Sequence, residues 1–381
     1  MINVLFIGNP NSIHDYKWIK TIVCSHNVKG FLITENSYSR KHVEKFGDIN
    51  VKIAFKLNPY SIKNFGRNIK NLWTIKTFIK NQSINIVHVF IGTSQVILPS
   101  KIDIPVILTT RGTDVNFTLR GLHKSDKILN KILFKRLKNA YKRVDQITCT
   151  SLSQIDVLEK IIPDISNKPL LIRTGVNIDG VLASEKKVFE KSKNRKQVLF
   201  IRNIHSNYDP LLSVDAVVHL RKELLLNTHF VFMKGIDYDR VLFERMEKTL
   251  QENRVHFTFL DAMPNEKVWQ IIKSSDLVVM NPITDGTPNT AIETMAAKKK
   301  LIMGYCKYDN DLFNDKTTIF LSKRDAFELS DLIENELKCK RTDRINYAFE
   351  IINQLASQEK EMSKVFNLYK KLIKNGTIIK S

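Results

Sequence analysis

Short apolar runs that stop at a glycine or a polar turn recur along the chain, separated by stretches with helical periodicity. Residues 2–8, IVHVFIG at 86–92 and PVILTTRG at 105–112 form a first series. Each reads as a strand buried in a parallel sheet and ending in a small-residue turn. HDYKWIKTIVCS, the stretch 61–83 and a longer amphipathic run from Lys124 to Arg143 read as the helices between them. A second series starts near residue 197 with QVLFIRN, THFVFMKG, RVHFTFLD, DLVVMNP and KLIMGYC. Strands alternating with helices in two successive sets predict an α/β protein of two doubly wound domains.

A length of 381 residues also exceeds what one core usually organises. The expected division is 1–168, 169–360 and a closing helix at 361–381 that packs back on the first domain, with the hinge near 165–180. The charged segment 183–196 reads as a surface loop. The last forty residues, from RTDRINYAFEIINQ to VFNLYKKLIKNG, have apolar positions three and four apart and read as helices. With 13 Gly and 10 Pro the chain is expected to fold throughout. No run of eighteen apolar residues occurs, and Met1 leads straight into a strand-like run, so neither membrane spanning nor secretion is expected. Cys24, Cys149, Cys306 and Cys339 are widely spaced without a CxxC pair, which fits a reducing cytoplasm.

Sixty Lys and Arg against thirty-nine Asp and Glu leave a net charge of +21. Part of it follows from a Lys-, Asn- and Ile-rich composition, but such a surface attracts polyanions: nucleic acid, an anionic membrane or phosphorylated substrates. No helix-turn-helix, zinc-finger spacing or RNP-like aromatic strand accompanies the charge, so nucleic acid is not the expected partner. The run from Lys124 to Arg143 places Ile128, Leu129, Ile132, Leu133 and Leu137 near one face. That face is expected in the core, with the basic rim left to attract a membrane surface.

Asp276 to Met303, DLVVMNPITDGTPNTAIETMAAKKKLIM, carries the most chemistry. A buried strand leads through Asp285, Gly286 and Pro288 into a helix from about Asn289 to Met295. Pro288 suits a first helical turn, and Gly286 lets backbone approach a ligand. The N–H groups of Asn289 and Thr290 then face an anion, aided by the helix dipole, which describes a diphosphate site. Asp285 before the helix and Glu293 on its second turn are eight apart, suited to accept hydrogen bonds from sugar hydroxyls. A capped, solvated helix start has the same spelling. Asp237-Tyr238-Asp239 and Asp309-Asn310-Asp311 match the D-x-D spelling of a metal pair, a triplet that arises easily by chance in so polar a chain.

DGTPNTAIETMAA resembles the E-x7-E signature of the retaining glycosyltransferases of family 4, with Asp285 in the first acidic position and Glu293 in the second. LLIRTGVNID (170–179) resembles the family's interdomain segment, with Thr174 for Asn and Asn177 for Asp. QVLFIRNIHSNYDPLL (197–212) is similar to a subgroup with Arg at the strand end and Tyr six residues on; Tyr208 stands where most relatives have a Lys. PNSIHDYKW (10–18) resembles a subgroup pattern that places His14 at the cleft. RGTDVNF (111–117) resembles the family's R-G-x-D turn, and IVHVFIGTS resembles V-H-x-H with Phe90 at the second histidine. His88 sits inside an apolar strand, where a satisfied core histidine is the more ordinary reading.

The resemblance implies a GT-B fold, two Rossmann-like domains facing a cleft, and a retaining, metal-independent transferase. Arg202, with Lys234 as a weaker substitute for the missing lysine, is implied to meet the diphosphate together with the helix at Asn289 and Thr290. Asp285 meets the transferred sugar, Glu293 the nucleotide ribose, and Gly286 the donor. Arg111, Asp114, His14 and His88 are implied to border the donor sugar or the acceptor. Expected partners are a nucleotide-sugar, a lipid-linked or oligosaccharide acceptor of bacterial surface polysaccharide synthesis, and an anionic membrane surface contacted peripherally from the cytoplasm. No metal or cofactor is expected. The competing readings are a catalytically inactive sugar-nucleotide-binding relative and a basic nucleic-acid-binding protein.

Overall fold

A computed structural model describes residues 1–187 and 195–378 of the chain; residues 188–194 of the expected charged loop lie outside the described residues. Two compact units result, one formed by Met1–Thr174 with the helix from Gln358, the other by Gly175–Ser357. The chain therefore changes unit at 174 and 357, where the sequence placed the breaks at 168 and 360. Residues 169–174 stay with the first unit because a short strand, Pro169–Leu171, completes its sheet. Thr174 also accepts from the Trp18 indole at 3.3 Å, and Glu361 accepts from the Arg173 N–H at 2.8 Å.

The first sheet has seven parallel strands: β1 Ile2–Ile7, β2 Val28–Thr34, β3 Val51–Lys56, β4 Ile86–Phe90, β5 Val106–Thr110, β6 Gln146–Cys149 and β7 Pro169–Leu171. Their order is β3-β2-β1-β4-β5-β6-β7. The second has β8 Lys196–Phe200, β9 Thr228–Gly235, β10 Phe257–Asp261, β11 Leu277–Met280, β12 Lys300–Met303 and β13 Ile319–Phe320. Their order, β10-β9-β8-β11-β12-β13, repeats the plan of the first. This is the doubly wound arrangement. Central strands such as β1, β4 and β11 are apolar on both faces because helices cover both sides.

Some helices begin where the sequence offers a cap. Asn64 accepts from the Arg67 N–H at 2.9 Å and starts Phe65–Asn81; Ser12 accepts from the Asp15 N–H at 3.1 Å and starts Ile13–Ser25. The run expected to be helical from Lys124 starts only at Ile128. Ser125 leaves the helical conformation, accepts from Lys127 N–H and Asn130 Nδ2, and separates a short turn, Arg120–Lys124, from Ile128–Arg143. Leu137, Ala140 and Tyr141 reach the core, while Ile128 and Leu129 stay exposed, contrary to a wholly buried apolar face.

His88 follows the reading of a satisfied core histidine and departs from the role the resemblance implied. Expected to border an acceptor, it is fully buried in β4. Its Nδ1 lies 2.5 Å from the Tyr369 hydroxyl and its Nε2 2.6 Å from Thr109 Oγ1, which in turn lies 2.6 Å from Thr148 Oγ1. A neutral imidazole with one donor and one acceptor nitrogen satisfies both contacts. Tyr369 belongs to the helix Gln358–Ile378, so this chain of hydrogen bonds fastens that helix to the first sheet.

Burial, with a smaller contribution from the Arg111 charge, drives the His88 ring down to about 3. An unfolded histidine titrates near its ordinary value, so the neutral ring stabilises the fold fully above about 6.5. That stability is lost as pH falls from there toward 3, at about 1.4 kcal/mol per pH unit. Urea denaturation at pH 7.5 and pH 5 is therefore expected to show a loss of about 2 kcal/mol that is missing in His88→Gln. Equal pH dependence in both proteins contradicts this assignment.

Candidate active site

The second sheet reverses direction between β8 and β11, neighbours in space with β9 and β10 between them in sequence. Connections leave such a point toward opposite faces and open a crevice at the carboxyl ends of the strands. Arg202, two residues beyond β8, and the turn beyond β11 meet there. Arg202 Nη2 is 3.3 Å from Asp285 Oδ2, Nη1 is 3.3 Å from Thr290 Oγ1, and the guanidinium carbon lies 4.1 Å from the Tyr208 ring centroid. A planar cation resting on an aromatic face keeps its orientation while two edges stay in use.

The helix Asn289–Ala296 opens at the same place. Its hydrogen-bond ladder starts with Ala291 and Ile292 donating to the Pro288 carbonyl at 3.1 and 3.3 Å. The N–H groups of Asn289 and Thr290 therefore precede the ladder at the positive end of the helix dipole. Glu293 is buried on the second turn, and the Asp285 side chain is only 20% exposed. Burial raises the Asp285 carboxyl above its ordinary value; the Arg202 charge opposes that rise and Asp309 adds to it. A guanidinium and a helix mouth converge on one point, with carboxylates before and after it, an arrangement chemically suited to an anion linked to a polyhydroxyl group.

The turn is held from behind. Thr287 donates its hydroxyl to Asp309, whose own N–H donates to the Gly286 carbonyl at 3.1 Å. The Cys306 thiol reaches the Asp285 carbonyl at 3.8 Å. Arg324 joins three loops: it donates to Asp209 Oδ2 at 3.0 and 2.9 Å, to the carbonyls of Asn281 and Pro282 at 3.1 and 3.2 Å, and to that of Tyr305 at 3.3 Å.

In the first unit the corresponding reversal lies between β1 and β4. Gly92, just past β4, donates its N–H to Asp114 at 2.6 Å and accepts from the Tyr141 hydroxyl at 2.9 Å. A Cβ there would stand 1.9 Å from that hydroxyl oxygen, so only glycine fits. The preceding Ile91 is forced to φ 117°, strain that a β-branched residue tolerates only where its surroundings impose it. Asp114 also accepts from the N–H groups of Arg111 at 2.9 Å and Val115 at 3.0 Å, so it organises the turn from inside. The Arg111 guanidinium lies 4.9 Å from the Trp18 ring and 5.1 Å from that of Phe90, with Nη2 3.1 Å from Asp15 Oδ1. Its Nε and Nη1 are buried without a hydrogen-bond partner. Burial raises the Asp15 carboxyl, and the Arg111 charge and Asn9 N–H work against that rise. His14 is exposed on the first turn of its helix.

Two family models match the sequence, "Glycosyltransferase Family 4" over residues 21–179 and "Glycosyl transferases group 1" over residues 183–350. The chain belongs to the group 1, family 4 type of glycosyltransferases. Its fold is GT-B. It is similar to a glycosyltransferase from Rickettsia africae, with 16% identity, 98% of this chain and 99% of that one covered, and a TM-score of 0.77. The Anabaena protein HepE, solved in complex with UDP, shares 10% identity over 98% of this chain and 100% of that one, with a TM-score of 0.75. WaaG, a glycosyltransferase involved in lipopolysaccharide biosynthesis, shares 13% identity over 97% and 99%, with a TM-score of 0.64. No curated protein matches at significant similarity.

Within this glycosyltransferase, Arg202 contacts both Asp285 and Thr290, with Asn289 beside Thr290 at the helix start. Lys234 leans the other way, toward the neighbouring strand β10: its Nζ pairs with Asp261 at 2.8 Å and lies over the rings of Phe243 and Tyr238 at 5.2 and 5.5 Å. Of the D-x-D spellings, Asp239 caps the helix Arg240–Glu252 by accepting from Leu242 N–H at 3.1 Å, and Asp309 is engaged by Thr287. No group of three or more His, Cys, Asp or Glu side chains that could hold a metal occurs among the described residues. Arg324 and Thr287 were not singled out in the sequence, and Asp309 was weighed only as part of a metal pair, because each lies in a polar turn with no local signal of what it faces.

Arg324→Met is expected to free Asp209 and three loop carbonyls from their shared donor and to destabilise the protein by about 1–3 kcal/mol in urea denaturation. Wild-type stability in that variant contradicts the role assigned to Arg324.

Proposed function

We propose that this glycosyltransferase moves a sugar from a nucleoside-diphosphate sugar to a saccharide acceptor with retention of anomeric configuration and without a metal ion. The observation that carries the proposal is the Arg202 guanidinium fixed on the Tyr208 ring at the mouth of the helix Asn289–Ala296, beside Asp285. In the reaction the bond between the anomeric carbon and the β-phosphate oxygen breaks, and its electron pair leaves on that oxygen. Arg202 and the N–H groups at the helix mouth meet the developing charge. The acceptor oxygen bonds to the same face of the anomeric carbon, and its proton passes to the departing phosphate oxygen. Asp285 accepts from a hydroxyl of the transferred sugar and Glu293 from the nucleotide ribose. With Phe90 in place of a histidine, no side chain is required to take the acceptor's proton.

UDP is the first nucleotide to test, since HepE is solved with UDP. A lipid-linked acceptor in bacterial surface polysaccharide synthesis, met at the inner face of the cell membrane, is supported by the net charge of +21 and by the similarity to WaaG. No helix among the described residues is long and apolar enough to cross a membrane, so the attachment proposed is peripheral.

UDP is expected to raise the melting temperature of the wild type by mass action. Arg202→Ala is expected to lower kcat by about 100- to 1,000-fold with a UDP-sugar. Turnover in EDTA is expected to stay unchanged. Undiminished turnover in Arg202→Ala refutes the assignment of the leaving-group cation, and loss of turnover in EDTA refutes the metal-free reaction.

A further inference from the structure

Helix Phe65–Asn81 buries one face and leaves another unpartnered. Ile75 and Ile79 enter the core, whereas Phe65, Ile69 and Trp73 are 72%, 52% and 68% exposed. These three recur every fourth residue and so fall within about 80° of arc on the helix surface. Single exposed apolar side chains are ordinary, but a row of three with two aromatic members is a contact surface. Arg67, Lys70, Lys76 and Lys80 share the helix with them, and the helix contains no acidic residue. Lys76 pairs with Asp103 from outside the helix.

The neighbouring basic helix extends the surface. Ile128–Arg143 carries six Lys and Arg and again no acidic residue. Its Leu137, Ala140 and Tyr141 enter the same core cluster as Ile75 and Ile79, so both helices cover one face of the first sheet. Arg136 donates to the Tyr60 hydroxyl, in the loop that leads into Phe65–Asn81. The exposed Ile128 and Leu129 begin this second helix, as Phe65 begins the first. Both helices follow strands, β3 and β5, so these exposed starts lie toward the strand ends that carry the Arg111 turn.

We infer that the first unit docks on an anionic lipid bilayer through the outward face of helix Phe65–Asn81, with Phe65, Ile69 and Trp73 entering the headgroup boundary and the cations around them meeting lipid phosphates. Apolar side chains flanked by Lys and Arg suit an interface that is apolar below and anionic above. A second copy fits poorly, because a two-fold contact lays these cations against one another. The inference deepens the reading of a lipid-linked acceptor and rests on it.

Trp73 supplies its own probe, since Trp18 and Trp269 are 0% and 7% exposed. Full-length protein is mixed with vesicles of phosphatidylglycerol and phosphatidylcholine, and separately with phosphatidylcholine alone. The expected result is co-sedimentation with the anionic vesicles, a blue shift of tryptophan emission, quenching by brominated acyl chains, and weaker binding as salt rises. Phe65→Ser, Ile69→Ser and Trp73→Ser combined are expected to reduce binding by about tenfold or more, with stabilisation by UDP unchanged. Lys70→Glu with Lys80→Glu is expected to weaken binding while leaving the stripe intact. Wild-type vesicle binding in the triple variant overturns the inference, as does unchanged Trp73 emission on bound vesicles. A wild-type dimer that the triple variant converts to monomer also overturns it, by assigning the stripe to a protein contact. UDP stabilisation without vesicle binding removes the docking surface and leaves the donor reading standing; vesicle binding without UDP stabilisation does the reverse.

Discussion

A cation held in place before its anion arrives is the feature on which the second unit is organised. Arg202 ends a buried strand, and an unpartnered guanidinium there is costly to desolvate. Asp285 at 3.3 Å offsets that cost without enclosing the cation, because Tyr208 occupies the ring face and Thr290 takes only one edge. The partnership is asymmetric. Burial raises the Asp285 carboxyl by more than the Arg202 charge lowers it. In the proposed reaction a diphosphate brings more negative charge to the same guanidinium and meets the positive end of the helix dipole as well. In the proposed reaction this exchange turns Asp285 from a counter-ion into a hydroxyl acceptor.

The topology explains why such a group is available at all. A parallel strand delivers its carboxyl end to one edge of the sheet, and the order β10-β9-β8-β11-β12-β13 sends consecutive connections to opposite sides between β8 and β11. Loops that follow distant segments, 201–209, 281–288 and 304–309, are therefore brought side by side. Positioning them is a separate task, performed by polar side chains with no part in the chemistry. Arg324 gathers the loop carbonyls and Asp209, and Asp309 fixes Thr287 and Gly286. Each satisfies backbone groups that would otherwise be stranded as the loops fold over one another.

Continuous apolar strands were legible because burial on both faces leaves little else in the sequence: β1, β4, β5, β8, β9 and β11 all show it. Of the outer strands, β10 was read as RVHFTFLD, but β3 and β7 were not. Lysines interrupt β3, VKIAFK, at positions that face water on a sheet edge, and β7 is three residues long. The helix Asn289–Ala296 was legible from Pro288 and the acidic pair, local signals of a helix start. Side-chain direction was not local. Lys234 turns toward Asp261 and His88 toward Tyr369, partners 27 and 281 residues away in the chain, and no periodicity encodes such a choice. The resemblance to the family supplied residue roles that spacing alone left equal to a capped, solvated helix.

Phe90 carries the consequence of the family's missing histidine further than a vacancy would. Its ring stacks on Phe6 at 5.8 Å and lies beneath Arg111, which Trp18 covers from another side. An imidazole at that position would share an apolar layer with a buried guanidinium, which disfavours its charged form, and His88 shows how strongly burial in this layer suppresses protonation. A phenyl ring instead gives Arg111 a surface it can rest on without competing for a proton. Arg111 is then fixed by Asp15 at one edge and by rings on its faces, and Nε and Nη1 remain for whatever polar group enters beside the strained Ile91–Gly92 turn. The Phe90 layer thus offers a fixed cation where the family has a histidine, and in the proposed reaction the acceptor's proton leaves with the phosphate.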